Sequence, residues 1–404
     1  MKKTLLTLSA LLTLSMLNGC GDGGGSFSPS TPGVRATVIS AGDGHSCEVI
    51  SDGSARCWGL NTSGQVGNGT FFSVLKPAGV TGVSGAGRVS AGGAHSCAVL
   101  GGSVWCWGEN TSGQLGNSTT ATSSTPVAVT GVSAATDVSA GGDHSCALLS
   151  GGHVFCWGKN IFGQLGNGAT SGSSSPVAVS GISSATEVSA GGNHTCALLS
   201  DSTIRCWGIN TFGQLGNGSI SSSSSPVAVS GISNATHISA GANHTCATVS
   251  TGAIQCWGDN SSGQLGAFWT LISLIPLVNI TASSTPVQVA SVNTSANVSA
   301  GFQHTCAVLT GGRVSCWGEN ASGQLGNGGI TAGFTPPGVG ASPTSTISPV
   351  AVSGISTATA ADAGLFHSCA LLTNRTVRCW GVNSSGQLGN DTGFSSALPV
   401  EVAN

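Results

Sequence analysis

The sequence predicts an all-β fold, a seven-bladed β-propeller with four-stranded antiparallel blades, and three observations predict it. First, the pattern SAGGNHTCALLSDSTIRCWGINTFGQLGNG (Ser189 to Gly218) recurs seven times, marked by Trp58, Trp107, Trp157, Trp207, Trp257, Trp317 and Trp380. A period of about 50 residues belongs to propellers and solenoids, not to ordinary mixed domains. Second, each unit reads as strands alone. HTCALLS and STIRCWG are β-prone runs around a short turn, Pro-Val-Ala-Val is a third strand with proline at its first position, and Asp137-Val138-Ser139 marks a fourth. Apolar residues fall on both parities, as in Ala197, Leu198 and Leu199, so both sheet faces are expected to be buried. Third, the two ends are complementary. The first unit opens at Thr37-Val38-Ile39-Ser40 without a preceding Pro-Val-x-Val strand, and the last closes on Pro399-Val400-Glu401-Val402. The expectation is a ring closed by the N- and C-terminal strands, which complete one blade together, because an open solenoid would need polar capping repeats.

In chain order, Met1 to Cys20 reads as an export signal: Lys2 and Lys3, an apolar run from Leu5 to Leu17, then Asn18-Gly19-Cys20. The run is shorter than the roughly 20 residues of a membrane-spanning helix. Leu17-Asn18-Gly19-Cys20 resembles a bacterial lipobox, which implies lipidation of Cys20, and Gly21 after it resembles an outer-membrane sorting signal. The expected product is an exported lipoprotein of the outer membrane or cell surface, touching the membrane through its anchor only. Residues 21–33 are mostly Gly, Ser and Pro and read as a tether, since such a composition cannot bury enough apolar surface to fold alone. Residues 34–404 form the repeat domain, without a composition break.

Spacing inside the unit shows where the chain is constrained. The first cysteine follows each repeat histidine by two residues, and the glutamine of Gly-Gln-Leu-Gly follows the second cysteine by eight. Pro77, Pro126, Pro176, Pro226, Pro286 and Pro349 each precede the next Ser-Ala-Gly, or Asp-Ala-Gly in the last case, by thirteen residues. Two links vary: the stretch between the cysteines, and the stretch from the glutamine to the next proline.

The pattern Ala-Gly-x-x-His-[Ser/Thr], a hydrophobic hairpin, then Trp-Gly-x-Asn-x-x-Gly-Gln-Leu-Gly resembles the repeat of the regulator of chromosome condensation family, over residues 34 to 404. The resemblance implies a seven-bladed propeller. Two kinds of relative frame its functional implications: a chromatin-bound exchange factor for a small GTPase, and a secreted propeller that inhibits β-lactamases. Neither role transfers on fold alone.

The cysteines depart from the family pattern. Of fifteen, fourteen fall two per unit, as Cys47 and Cys57, Cys97 and Cys106, Cys146 and Cys156, Cys196 and Cys206, Cys246 and Cys256, Cys306 and Cys316, Cys369 and Cys379. An even, paired count in an exported chain argues for disulfides. Ten residues apart, the cysteines oppose each other across a three-residue loop such as Ser51-Asp52-Gly53; nine apart, in the second unit, they do so across Gly101-Gly102. The other reading, free thiols as small core residues, fits poorly with export.

The repeat histidines, His45, His95, His144, His194, His244, His304 and His367, read as structural hydrogen-bonding groups near the inner end of each blade, because catalysis needs a unique, asymmetric constellation. His153 and His237 stand alone and are expected to be exposed. No catalytic residue, metal ligand set or cofactor motif stands out, so the chain is not read as an enzyme. Charged residues are only 6% of the chain and the net charge is −3, which leaves nucleic-acid binding and a chromatin role without an electrostatic footprint. The expectation is a monomeric, lipid-anchored binding module of the cell envelope with a protein or glycan partner. The alternative is a protein inhibitor of an envelope or secreted hydrolase. Guanine-nucleotide exchange by family analogy comes last, since an exported protein would not meet a cytosolic GTPase.

The expected binding surface is a rim. The glutamine-to-proline distance is twelve residues in five units but 22 from Gln264 to Pro286 and 25 from Gln324 to Pro349, in neighbouring units. The first insertion carries Phe268, Trp269, Leu271, Ile272, Leu274, Ile275 and Leu277, where other copies of this loop are mostly Ser, Thr and Gly, and the second carries Phe334. Such a run either folds back on its own blade or the neighbouring insertion, or meets a partner or membrane surface.

Overall fold

The computed structural model describes residues 35–267, 281–330 and 345–403. Its first blade shows the plan: β1 (Ala36–Ala41), β2 (His45–Ile50), β3 (Ala55–Gly59) and β4 (Val74–Gly79) pair in chain order as one antiparallel sheet. Six further four-stranded sheets, opening at Ala86, Ala135, Ala185, Ala235, Ser295 and Ala358, repeat it, and no helix occurs among the described residues. The protein is a seven-bladed β-propeller.

The β2–β3 hairpin is set by local chemistry. In the second blade Leu100 pairs with Ser103 around Gly101-Gly102, whose φ values of 56° and 85° are those of the tight turn that matches strand twist. In the first blade the turn is three residues, with Gly53 N–H donating to the Ile50 carbonyl at 2.9 Å. Either loop length brings the cysteines opposite each other. All seven pairs are cross-strand partners with Cα atoms 4.0–4.1 Å apart and sulfurs at bonding distance. Every one of these cysteines is fully buried.

Two expectations need correction. The terminal strands do meet at the ring closure, but they do not share a blade. The strand before each Gly-x-x-His turn pairs with the strand after that turn, so each blade is one continuous stretch and the last ends within itself. The reason lies in the link between blades. Between Ala128 and Ala135 run six residues, more than a tight hairpin uses, and Val129 and Val132 within them are buried in the core between blades. Six residues span about 20 Å extended, enough to cross a four-strand sheet of about 14 Å from outer edge to inner edge. The second correction concerns proline. Pro126 and Pro176 sit at the fourth position of their strands (Ser123–Ala128 and Ser173–Ala178), at a register shift opposite Trp107 and Trp157. A bulge on an outer edge strand needs no N–H there, so proline is tolerated and blunts the edge.

The hydrophobic core is divided into seven clusters, one at each blade junction. In one of them Trp207 of the fourth blade packs with Cys146, Leu148, Val154, Cys156 and Leu165 of the third. The ring closes the same way, with Trp58, Ala36 and Ile39 against Leu371, Val377, Leu388 and Val402. Each repeat tryptophan is fully buried. The second glycine of each Gly-Gln-Leu-Gly exists for that contact. A Cβ on Gly216 would lie 2.7 Å from Trp257 Nε1, and its φ is +66°. Gly231 has a similar φ of +73° with nothing within 4 Å. Gly231→Ala is therefore expected to cost only the left-handed backbone term, about 1–2 kcal/mol, and Gly216→Ala that term plus displacement of the indole, roughly 3 kcal/mol or more. Equal losses in chemical denaturation would show that the contact does not matter.

Candidate functional site

The repeated polar residues hold the ring together or tie down the loops of their own blade. Each repeat histidine reaches the next blade, with Nε2 2.8 Å from the hydroxyl of Ser96, Ser145, Thr195, Thr245, Thr305, Ser368 and, closing the circle, Ser46. Each hydroxyl also lies 2.9–3.1 Å from the backbone carbonyl of a repeat glutamine, which can only accept. The hydroxyl must donate to that carbonyl, so it accepts from Nε2–H and the histidine is the neutral Nε2–H tautomer. The same carbonyl accepts the tryptophan Nε1–H at 2.8–2.9 Å. The Nδ1 atoms are buried without a partner. Burial pushes the pKa of His45, His144, His244 and His304 down to about 3 and that of His95, His194 and His367 to about 4. These histidines are structural, and the same holds for the glutamines and asparagines. Gln65 Oε1 accepts Ser63 N–H, while Asn61 accepts Val66 N–H and donates to the carbonyls of Thr70 and Phe72, tying down the base of the β3–β4 loop.

Two places on the propeller gather residues that differ between blades. One is a funnel on the propeller axis, a cavity of about 680 Å³ walled by the Ser-Ala-Gly segments of all seven inner strands. Its wall is held by six serines, Ser40, Ser90, Ser139, Ser189, Ser239 and Ser299, each accepting an N–H from the next blade at 2.9–3.0 Å. Asp362 stands seventh, accepting from Ala41 N–H at 2.8 Å and from Ser299 Oγ–H at 2.7 Å, with its pKa raised by burial. The mouth is formed by the two residues between glycine and histidine together with Leu60, and its lining is uneven. Leu60, Phe302 and Leu365 come from blades one, six and seven, Asp143, Asn193 and Asn243 from blades three, four and five, and Asp43 shares blade one with Leu60. Phe366 packs edge-on against Phe302 at 5.8 Å.

Asp43 touches the water of the funnel, yet the surrounding protein and the charge of Asp143 push its carboxyl up to about 6. No partner for that carboxyl is present among the described residues. Asp143 is held by Lys159 Nζ at 2.8 Å. Charge is divided along the axis. The end carrying the mouth and the β3–β4 loops has Asp43, Glu109, Asp143, Asp259, Glu319, Asp362 and Asp391 against Lys76 and Lys159, while the seven described arginines lie in the opposite half, where acids nearly balance them. In that half His237, expected to be exposed, is half-buried on an inner strand. Its Nδ1 is 2.7 Å from Glu187 Oε1 and its Nε2 donates to the Val298 carbonyl at 3.0 Å. Its pKa is raised, the Glu187 carboxylate outweighing the opposing effect of burial, which is the largest single influence. Among the described residues no group of three or more His, Cys, Asp or Glu is placed to hold a metal ion.

The second place is the rim. Phe71 and Phe72 of the first blade, Phe394 of the seventh and Ile330 of the sixth are exposed in the β3–β4 loop or its equivalents, with Leu398 on the adjoining edge strand, and Ile161, Phe212 and Ile220 are exposed in the same loops of blades three and four. This is the loop class that carries the two insertions. Blade seven's copy grips blade one, with Asp391 N–H donating to the Leu75 carbonyl at 2.9 Å. Phe268, Trp269, Leu271, Ile272, Leu274, Ile275, Leu277 and Phe334, like Cys20, lie outside the described residues. The funnel mouth is a weaker signal in the sequence than the long insertions. The signal was there in the pair between glycine and histidine, which runs from Asp43-Gly44 to Leu365-Phe366 in a frame that otherwise repeats.

Comparison with known proteins agrees with this architecture. A family model described as an RCC1-like domain matches residues 74–404, and one for the regulator of chromosome condensation (RCC1) repeat matches residues 37–65. Similar solved structures include yeast RCC1 (Prp20) with Kap60, at 20% identity and TM-score 0.73, covering 92% of this chain and 86% of that one. Human WBSCR16 follows at 21% identity and TM-score 0.68, covering 82% and 85%. Among curated proteins the human probable E3 ubiquitin-protein ligase HERC6 is 37% identical over 107 residues, 26% of this chain and 9% of the relative, so this chain spans under a tenth of it. The family match extends over most of the blades described above, and the chain belongs to the RCC1-like domain family.

Proposed function

We propose that this protein is a lipid-anchored binding module of the cell envelope, tethered through Cys20 and recognising a protein or glycan partner with the loops at one end of its propeller. The observation that carries the reading is the division of labour among its residues. The repeat histidines and their Ser/Thr partners are engaged in inter-blade bonds, and the exposed apolar residues collect in one loop class at one end of the propeller, most densely in blades six, seven and one. Aromatic side chains on a rigid scaffold are the usual anchors of an interface. Seven cysteine pairs favour an oxidising compartment.

Two experiments test this. Cys20→Ala is expected to release folded protein from membranes, and retention after a salt wash would exclude the anchor. Full-length protein is used to capture partners from the host's envelope extract. The double variant Phe72→Ser/Phe394→Ser, whose side chains are 81% and 82% exposed, is expected to weaken capture about tenfold or more with an unchanged thermal transition. Undiminished capture would remove the rim from the reading.

A further inference from the structure

We propose that the acidic mouth of the axial funnel docks a basic segment of a protein partner, a lysine- or arginine-bearing loop or tail. Its aliphatic stems would lie on Leu60, Phe302 and Leu365 and its cationic heads meet Asp43 and Asp143. The proposal rests on the binding-module reading and adds the chemistry of what is bound.

Three independent features point the same way. The cavity, about 680 Å³, is deep enough for several side chains and is open to solvent where Asp43 sits. Its lining has an apolar crescent, Leu60, Phe302 and Leu365 from blades one, six and seven, with Asp43 on that same blade one, and polar residues from blades three, four and five. That division suits a ligand with an apolar stem and a charged tip, as lysine and arginine side chains have. The third feature is the sign of the surrounding charge. Seven carboxyl groups against two lysines occupy this end, and a cleft with low-dielectric walls concentrates their field on the axis. Lys159 engages only Asp143, on one wall, while the Asp43 carboxyl has no partner among the described residues. An anionic segment would meet the wrong field, and a purely apolar one would bury Asp43 uncompensated.

The funnel is also built to keep its shape. A Cβ on Gly42, Gly92, Gly141, Gly191, Gly241, Gly301 or Gly364 would approach the carbonyl oxygen of the next blade's glycine to 2.3–2.6 Å, so the ring of inner strands is in close contact all round. A rigid mouth loses little entropy on binding, which favours insertion of a loop that is itself held by its parent protein.

The test uses the full chain in detergent and two dye-labelled peptides of alternating residues, lysine–leucine and its glutamate–leucine counterpart, followed by fluorescence anisotropy. The basic peptide is expected to bind, the acidic one to bind at least about tenfold more weakly, and added salt to weaken the first. Asp43→Asn/Asp143→Asn is expected to lower affinity for the basic peptide about tenfold or more, with an unchanged thermal transition. Asp201→Asn, an exposed acid at the opposite end, should leave it unchanged. Leu365→Ser, which keeps every charge, is expected to weaken it as well. Equal binding of the two peptides, no binding of the basic one up to about 1 mM, or indifference to the Asp43/Asp143 pair would overturn the proposal. Loss of peptide binding in Phe72→Ser/Phe394→Ser would do the same, by moving the site to the rim. Envelope capture is scored separately, so the rim reading can stand when the funnel fails, and the funnel when the rim fails.

Discussion

Acidification from pH 7 to about 4.5 is expected to unfold this protein, with the steepest loss of stability between about pH 6 and 4. The seven ring histidines are neutral in the fold, with pKa values of about 3 or 4, against an ordinary value of 6.5. Below 6.5 the unfolded chain takes up protons that the fold refuses, so stability falls as pH drops, until the folded pKa is reached. Well below 6.5 each histidine contributes about 1.4 kcal/mol per pH unit, so seven together contribute on the order of 10 kcal/mol per pH unit, comparable to a whole domain's stability. Asp43, Glu48, Asp137, Asp362 and His237 act in the opposite sense, since their raised pKa values let the fold bind protons first. They are fewer, and the histidines dominate. Protonated neighbours also repel, as His45 does with His95 and His367, so one protonation does not prepare the fold for the next. Thermal transitions measured across pH give the answer: coincident midpoints at pH 7 and 4.5 would contradict the ring of neutral histidines.

Reduction of the disulfides is the second large effect. Each closes a loop of about ten residues, worth roughly 2–3 kcal/mol through restriction of the unfolded chain. Seven together approach or exceed the total stability of an ordinary domain, so the fully reduced chain is expected to be unfolded or to melt far below the oxidised form. Loss of one pair, Cys196→Ala/Cys206→Ala, is expected to cost about 2–5 kcal/mol and leave a folded ring, because each disulfide lies within a single blade. The kinetics should be distinctive. All fourteen cysteines are fully buried, so a reductant acts on the folded protein only through opening of a blade. Mass spectrometry of alkylated protein after timed reduction tests both points. Rapid, complete thiol release without loss of the native transition would show that the disulfides add little.

What the sequence determined by itself is local or periodic. Seven Trp-Gly steps set the number of blades, and the lengths of the Ser51-Asp52-Gly53 and Gly101-Gly102 loops set the hairpin register, hence which cysteines face each other. Such features depend on residues within a dozen positions of one another, where strand alternation and turn geometry leave little choice. Only the tertiary structure decided which fourth strand joins which sheet, because a six-residue link allows either a return or a crossing, and burial of Val129 and Val132 between blades selects the crossing. It also decided what the histidines do. A hydroxyl in the next blade, some 50 residues away, fixes their tautomer and, with burial, their charge, and no local pattern displays that pairing. The same distance hid the funnel mouth and the Glu187–His237 contact, since residues contributed one per blade become neighbours only when the ring closes around its axis.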